Sequence, residues 1–383
     1  MKWFGRKGAP RARPVLVSGW RNAFAGEPWP RSYEAQVRDA YLGNAVAQRA
    51  VRLVAESVAW APVYDAGAEE GAPPPRSARS ASPAKAGAEL VTPGLLETVA
   101  TQLLLHGNAF VQIVQDADGI AAALYPLRPE RVTVEADAGG WPAAYRYKVG
   151  EAASRIAAKD GLGRPGLAHL RSAHPLDDHY GLGCLGAAAA AVAVHNAAAR
   201  WNRALLDNAA RPWGALVYDP GDGGALPEAQ FERLKAELAA DHEGARNAGR
   251  PLLLEGGLKW QAMSLTPADM DFTGLKAAAA REIALAFGVP PMLLGLPGDA
   301  TYANYREANR ALWRLTVLPM AARILGALSA ALGSWWPGLK LEVDLDRISA
   351  LAEERERLWR QASAADFLTR AEKRRMLGFE PDG

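Results

Sequence analysis

The chain is nearly without sulfur chemistry. Its one cysteine, Cys184, excludes an intrachain disulfide, which fits a reducing cytosolic origin. It also lacks an excess of either charge: 44 lysines and arginines face 42 aspartates and glutamates, for a net +2. That balance excludes a protein dedicated to coating DNA, whose phosphate contacts require a strong basic excess. No unbroken apolar run reaches the roughly 18 residues of a membrane span. The nearest candidate, the alanine-rich run after Gly186, is interrupted by His195, Asn196, Arg200 and Arg203, so no membrane partner is expected. The basic N-terminus (MKWFGRKGAPRARPVLV) has no apolar core of signal-peptide length. What is present is 383 residues, 49% hydrophobic, enough for two or three structural units.

Catalytic and cofactor signatures are present only as fragments. Gly161-Leu-Gly163-Arg-Pro-Gly166 and Gly181-Leu-Gly183-Cys-Leu-Gly186 both have G-x-G-x-x-G spacing. A dinucleotide fingerprint also needs a hydrophobic strand running straight into it, and KD and HPLDDHY stand there instead. His169, His174 and His179 lie near Asp177 and Asp178, but a spacing of five does not put ligands on one helix face, and Pro175 breaks the segment. They read as loop histidines. Cys184 precedes a helix but has Leu182 where a nucleophile elbow needs glycine, so it reads as a packed thiol. No enzyme, metal or cofactor is expected.

The pattern along the chain is α+β. Residues 1–30 form a basic, Gly- and Pro-containing arm. Residues 44–60 are an amphipathic helix with Val46, Ala50, Leu53, Val54 and Val58 at helical spacing. Residues 65–89, rich in Ala, Pro, Ser and Gly, read as a surface linker. A helix over 93–106 stops at Gly107-Asn108, and strands follow over 109–115, 121–125, 131–135 and 144–149. A long alanine-rich helix covers 186–208. Residues 211–263 read as a βαββ insert carried between two helices.

The centre of the chain is residues 271–332. A helix over 273–287 ends at Gly288, and Val289-Pro290-Pro291 blocks its continuation. A Gly- and Pro-containing loop runs from Leu294 to about Tyr302. A second helix reaches residue 332 with Pro319 in its middle, where a kink is expected. After a turn at 335–338 come a strand over 340–343, a charged helix over 346–365, and a last helix over 369–377 with Thr369 as cap and Glu372 at capping-box spacing.

From about residue 44 onward the chain resembles the portal proteins of tailed bacteriophages, in the short form found with long flexible tails and in gene transfer agents. The strongest match is REIALAFGVPPMLLGL followed by YANYREANRALWRLTVLP, against I-x-x-x-F-G-V-P-P-x-L-L-G, an Asn and acidic position, and T-L-x-P. LLLHGNAFVQIV, LYPLRPERV, DNAARPWGALV and the ending FLTRAEKRRMLGFEPDG support it in order. Departures are Gly183-Cys184 where Ser-Pro is usual, Ala371 for Asn, and a displaced acidic residue, Glu307. The alanine- and arginine-rich composition and short length fit a gene transfer agent.

The resemblance implies a wing (31–185), stem helices (186–210 and 269–288), a clip (211–268), a tunnel loop (289–301), a kinked helix with a wing strand (302–345) and a crown (346–383). Phe287, Gly288, Val289, Pro290 and Pro291 would be the hinge from stem to tunnel. Leu294, Gly295, Leu296, Pro297, Gly298, Asp299 and Ala300, continuing into Thr301, Tyr302 and Asn304, would line a DNA channel. Trp213, Asp219, Asp222, Glu228 and Arg233 would be clip contacts to a head–tail adaptor and to the terminase large subunit. The implied assembly is a ring of twelve copies at one capsid vertex, touching the major capsid protein and passing double-stranded DNA in packaging and ejection. The alternatives are a scaffold or adaptor of another assembly, or a nucleotide-binding enzyme using residues 181–186.

Overall fold

The computed structural model describes residues 32–67, 87–207, 214–218, 227–230, 232–233, 258–262, 272–296 and 302–377. The expected arm, most of the linker and most of the insert lie outside these residues.

Helix α1 (Tyr33–Val37) runs into a π turn (Arg38–Leu42), both unread in the sequence, and α2 (Ala45–Ala59) follows. Asn44 starts α2 because its Oδ1 accepts the Val46 and Ala47 N–H groups at 3.1 Å each. The buried stripe of α2 is Ala47, Ala50, Val51, Val54, Ala55, Val58 and Ala59. It is rotated from the expected one, so Val46 and Leu53 lie at its edge. Small residues in the stripe let α3 (Pro93–Leu105) pack along it.

Two three-stranded antiparallel sheets come next. One has the order β3-β2-β7, built from Ala121–Leu127, Asn108–Gln115 and Leu167–Arg171. The other has the order β4-β5-β6, from Val132–Ala136, Pro142–Val149 and Ala152–Ala157. Phe110 on β2 and Tyr145 on β5 meet edge to face at 6.0 Å and share a buried cluster with Leu127, Val132 and Leu167, which joins the sheets. Strands β6 and β7 were not expected from the sequence. Each is short and, unlike β2, carries no long apolar run.

Helix α4 (Leu185–Asp207) packs along α5 (Phe272–Ala286). Strands β8 (Gly214–Tyr218) and β9 (Leu258–Ala262) pair antiparallel in between. His195 and Asn196, which break the apolar run of α4, bind α2. The buried Asn44 amide donates to Asn196 Oδ1 at 2.8 Å and lies 3.1 Å from His195 Nδ1. Burial, then nearby Lys276, lowers the His195 pKa, which keeps Nδ1 free to accept that bond.

The last long helix has three parts: α6 (Tyr302–Leu312), a π segment (Trp313–Val317) and α7 (Leu318–Leu332). It corrects the search for apolar runs. Among the described residues, one helix, Ala303–Leu332, is long and apolar enough to cross a membrane. Counting unbroken runs misses it because Thr316, Arg323 and Ser329 interrupt the segment. Ala321, Ile324, Leu325, Leu328 and Leu332 are buried in the core shared with α2, α3 and α5, so one face of the helix belongs to the core.

Strand β10 (Leu341–Val343) pairs antiparallel with β1 (Val63–Asp65). The charged segment expected to be helical from 346 instead makes two 3-10 turns, Leu345–Arg347 and Ser349–Leu351, before α8 (Ala352–Ala364). Asp344 caps the first turn by accepting the Asp346 N–H at 3.1 Å. Helix α9 (Arg370–Leu377) has the expected capping box: Thr369 N–H donates to Glu372 Oε2 at 2.8 Å, and Glu372 N–H to Thr369 Oγ1 at 3.2 Å.

Candidate functional site

A tightly constrained junction lies at the end of α5. Ile283, Ala284 and Phe287 are buried there. Gly288 follows with φ +66°. Its N–H bonds Leu285 O at 3.0 Å, and the Val289 N–H reaches back to Ala284 O at 2.9 Å, the paired closure of a Schellman motif. Pro290 turns the chain, Pro291–Leu294 makes a single 3-10 turn, and Gly295, at φ +73°, closes that turn.

The long helix holds this junction from the other side. Pro319 has no N–H, and its ring would crowd the carbonyl four residues back. The structure places the irregularity one turn ahead of Pro319, where the Leu318 N–H bonds Trp313 O, a π spacing that widens the helix. Pro319 then sits in the first turn of α7, where its missing donor costs least. Thr316, within the widened segment, donates from Oγ1 to Gly288 O at 2.7 Å. A Cβ on residue 288 would lie 2.8 Å from that same hydroxyl. The latch joining hinge and kinked helix is therefore Gly288–Thr316, and Thr316 was not singled out in the sequence. The only signal was its place in the Thr316-Val317-Leu318-Pro319 match.

Thr316→Val keeps the shape but removes the donor. It is expected to cost about 1 kcal/mol, whereas Gly288→Ala adds left-handed strain and a contact with the hydroxyl, for about 2 kcal/mol. Thermal unfolding of the two variants checks the order, and equal midpoints for both and for the wild type would remove the latch.

Of the expected channel residues, Leu294, Gly295 and Leu296 end the 3-10 turn. Tyr302 is the first residue of α6, and Asn304 is exposed on it. Pro297, Gly298, Asp299, Ala300 and Thr301 lie outside the described residues, as do Trp213, Asp219 and Asp222. Glu228 and Arg233 are exposed on a short helical stretch.

The Gly-rich decoys have structural explanations. Residues 161–166 form the turn between β6 and β7, closed by a Lys159–Pro165 bridge, with Asp160 accepting the Leu162 and Arg164 N–H groups at 2.8 and 2.9 Å. Those bonds and the Arg164 side chain hold the Asp160 pKa down at about 2. At the second motif the Gly181 and Gly183 backbones lie against those of Gly107 and Leu105, where a Cβ at either position would overlap the facing carbonyl. Buried Asn108 accepts the Gly181 N–H at 2.7 Å and donates to Gly181 O at 3.1 Å. The close approach there is to protein, not to a phosphate.

His169 is corrected from a loop residue to a strand residue. It sits on β7, stacked on Phe110 at 4.2 Å, with Nε2 3.1 Å from Asn108 Oδ1. Burial and then Arg171 lower its pKa to about 4, so it is neutral at pH 7. Asp177 accepts the His179 and Tyr180 N–H groups at 2.8 Å each, a turn role. Burial raises the Cys184 thiol pKa, the opposite of an activated thiolate.

The sequence also gave no role to an ionic ladder between the long helix and α8. Arg306 Nη1 lies 2.5 Å from Glu353 Oε1, Arg310 Nη2 3.3 Å from Glu353 Oε2, and Arg314 Nη1 3.3 Å from Glu354 Oε1.

Comparison with known proteins places this architecture. A protein of Rickettsia felis is 40% identical over 354 residues, 90% of this chain and 88% of its own. A chain from the neck of a native gene transfer agent particle, computed with C12 symmetry, superposes with a TM-score of 0.66 at 46% identity, covering 94% of this chain and 97% of that one. An HK97-family phage portal protein from Corynebacterium diphtheriae, 20% identical, shares the fold at a TM-score of 0.55 over 81% of this chain and 96% of its own. The phage portal protein family matches residues 45–378. With the fold and the family pattern spanning nearly its whole length, the chain belongs to the phage portal protein family.

Proposed function

We propose that the chain is the portal subunit of a gene transfer agent particle, a virion component at the neck. Twelve copies form a ring through which double-stranded DNA is packed and later ejected. The observation that carries this is the 46% identity to a chain of a C12 neck over nearly the full length of both. The lone subunit also leaves Trp60, Leu176 and Phe367 at least 84% exposed, large apolar surfaces suited to neighbours in an assembly. Residues 31–185 then serve as wing, α4 and α5 as the stem, 211–268 as the clip that meets adaptor and terminase, and 346–383 as crown, with the major capsid protein outside. Residues 289–301 form the tunnel loop. Its chemistry, Gly and Pro with Asp299 and Thr301 and no Lys or Arg before Arg306, suits weak and adaptable contact with moving DNA, because tight binding grows with each phosphate neutralised. The role is mechanical, with no cofactor.

Light scattering on the purified full chain, with negative-stain imaging, tests the reading. A ring of about 490 kDa is expected from twelve 40.8 kDa chains. A monomer or dimer at every salt and protein concentration would favour an adaptor of another assembly instead.

A further inference from the structure

We propose that the crown glutamates Glu353 and Glu354 mask a phosphate-binding stripe on the long helix formed by Arg306, Arg310 and Arg314. This deepens the channel reading and rests on it. The three arginines follow at intervals of four residues, which places them on one face with a rise of about 6 Å between neighbours. A stripe of guanidinium groups at that spacing suits the backbone of a nucleic acid, since each group presents a fork that matches phosphate oxygens. Alone, it would grip DNA.

It is not left alone. Glu353 bridges Arg306 and Arg310, at 2.5 and 3.3 Å, and Glu354 meets Arg314 at 3.3 Å. Glu307 on the same helix takes another N–H of Arg310 at 3.0 Å. The partners differ in how firmly they are held. The Arg310 side chain is 23% exposed and the Glu353 side chain 60%. Arg310 is fixed by packing, and its buried Nε–H has no partner among the described residues. In that pair the acid is the exposed member, whereas in the Arg314–Glu354 pair the arginine is, at 58% against 32%. Removing the acids' charge therefore leaves Arg310 standing at the centre of the stripe and releases the more exposed Arg306 and Arg314 from Glu353 and Glu354 toward another anion. Exposed ion pairs contribute little to stability, so the three between crown and helix are better explained by what they keep away than by what they hold together. In a channel that must let DNA slide, masking prevents a basic ring from becoming a brake.

The test uses purified full-chain rings and a blunt 20-base-pair DNA, with affinity followed against salt. E353Q/E354Q is expected to bind about tenfold more tightly at low salt, with a log–log salt slope steeper by about 2. E130Q/E151Q, which removes two exposed acids elsewhere, should not reproduce the gain. R306Q/R314Q should abolish the gain in the E353Q/E354Q background and change nothing in the wild type. The proposal is overturned if intact E353Q/E354Q rings bind no better, or if the control pair gains equally. It is overturned independently, without that variant, if R306Q/R314Q weakens DNA binding by wild-type rings, since the arginines would then be already in use. Absence of rings in the wild type would count against the portal reading, not against the mask.

Discussion

Gly107→Ala is expected to abolish stable folding, at a cost on the order of 4 kcal/mol or more. Two penalties combine. Gly107 has φ +83°, a conformation that strains any residue with a Cβ. The added Cβ would also overlap the backbone of Leu182, Gly183 and Gly181. These are backbone atoms, so no rotamer change gives relief. The segment they belong to is pinned on both sides: Ser172 N–H to Gly107 O at 2.8 Å, Cys184 N–H to Leu104 O at 2.8 Å, and the two Asn108 bonds to Gly181. Separating the segments would orphan these buried groups. Gly186, in the same G-x-G-x-x-G, has nothing within 4 Å of its added Cβ, and it lies within α4, so Gly186→Ala should be neutral or slightly stabilising. Soluble yield and thermal midpoint of the two variants provide the check. A Gly107→Ala chain that melts within a few degrees of the wild type would show that the two backbones part easily.

Deleting residues 296–300 is expected to leave the ring intact while nuclease-protected DNA per particle falls to background. The stem and the long helix meet outside the deleted segment. Phe287 and Val289 are buried, the Thr316 latch holds Gly288, and the Gly295 closure precedes most of the cut. Leu296, the one described residue of the deleted segment, is not buried. Loss of the segment should thus be felt by the DNA rather than by the fold. Ring mass from light scattering separates an assembly defect from a packaging defect, and normal packaging by the shortened ring would end the tunnel-loop assignment.

These two expectations differ in how far the sequence foretold them. The end of α5 was legible because its signals are local. Gly288 ends a helix and Val289-Pro290-Pro291 forbids its continuation, whatever the rest of the chain does. Helices α2 to α5 declared themselves in the same way, through 3.6-residue periods and through alanine-rich stretches. The Gly107–Gly181 approach was invisible. Both segments were noticed, one as a helix stop and one as a phosphate-loop decoy, but nothing in either names the other as its neighbour.

The same limit explains the remaining misses. His169 read as a loop histidine in the sequence, and its ring is half-buried because β7 pairs with β2 and brings Phe110 against it. Val63 and Val343 could each be called extended, but not paired, across most of the chain's length. Arg306, Arg310 and Arg314 have readable helical spacing, yet their acidic partners on α8 lie at least 40 positions further along. Helix starts, stops, breakers and family motifs were thus set by the sequence itself, because each depends on backbone sterics and hydrogen bonds within one or two turns. Which glycine must be bare, which histidine stacks on Phe110 and which arginines face acids was decided only by the tertiary structure, since those properties belong to contacts between segments that no local pattern encodes.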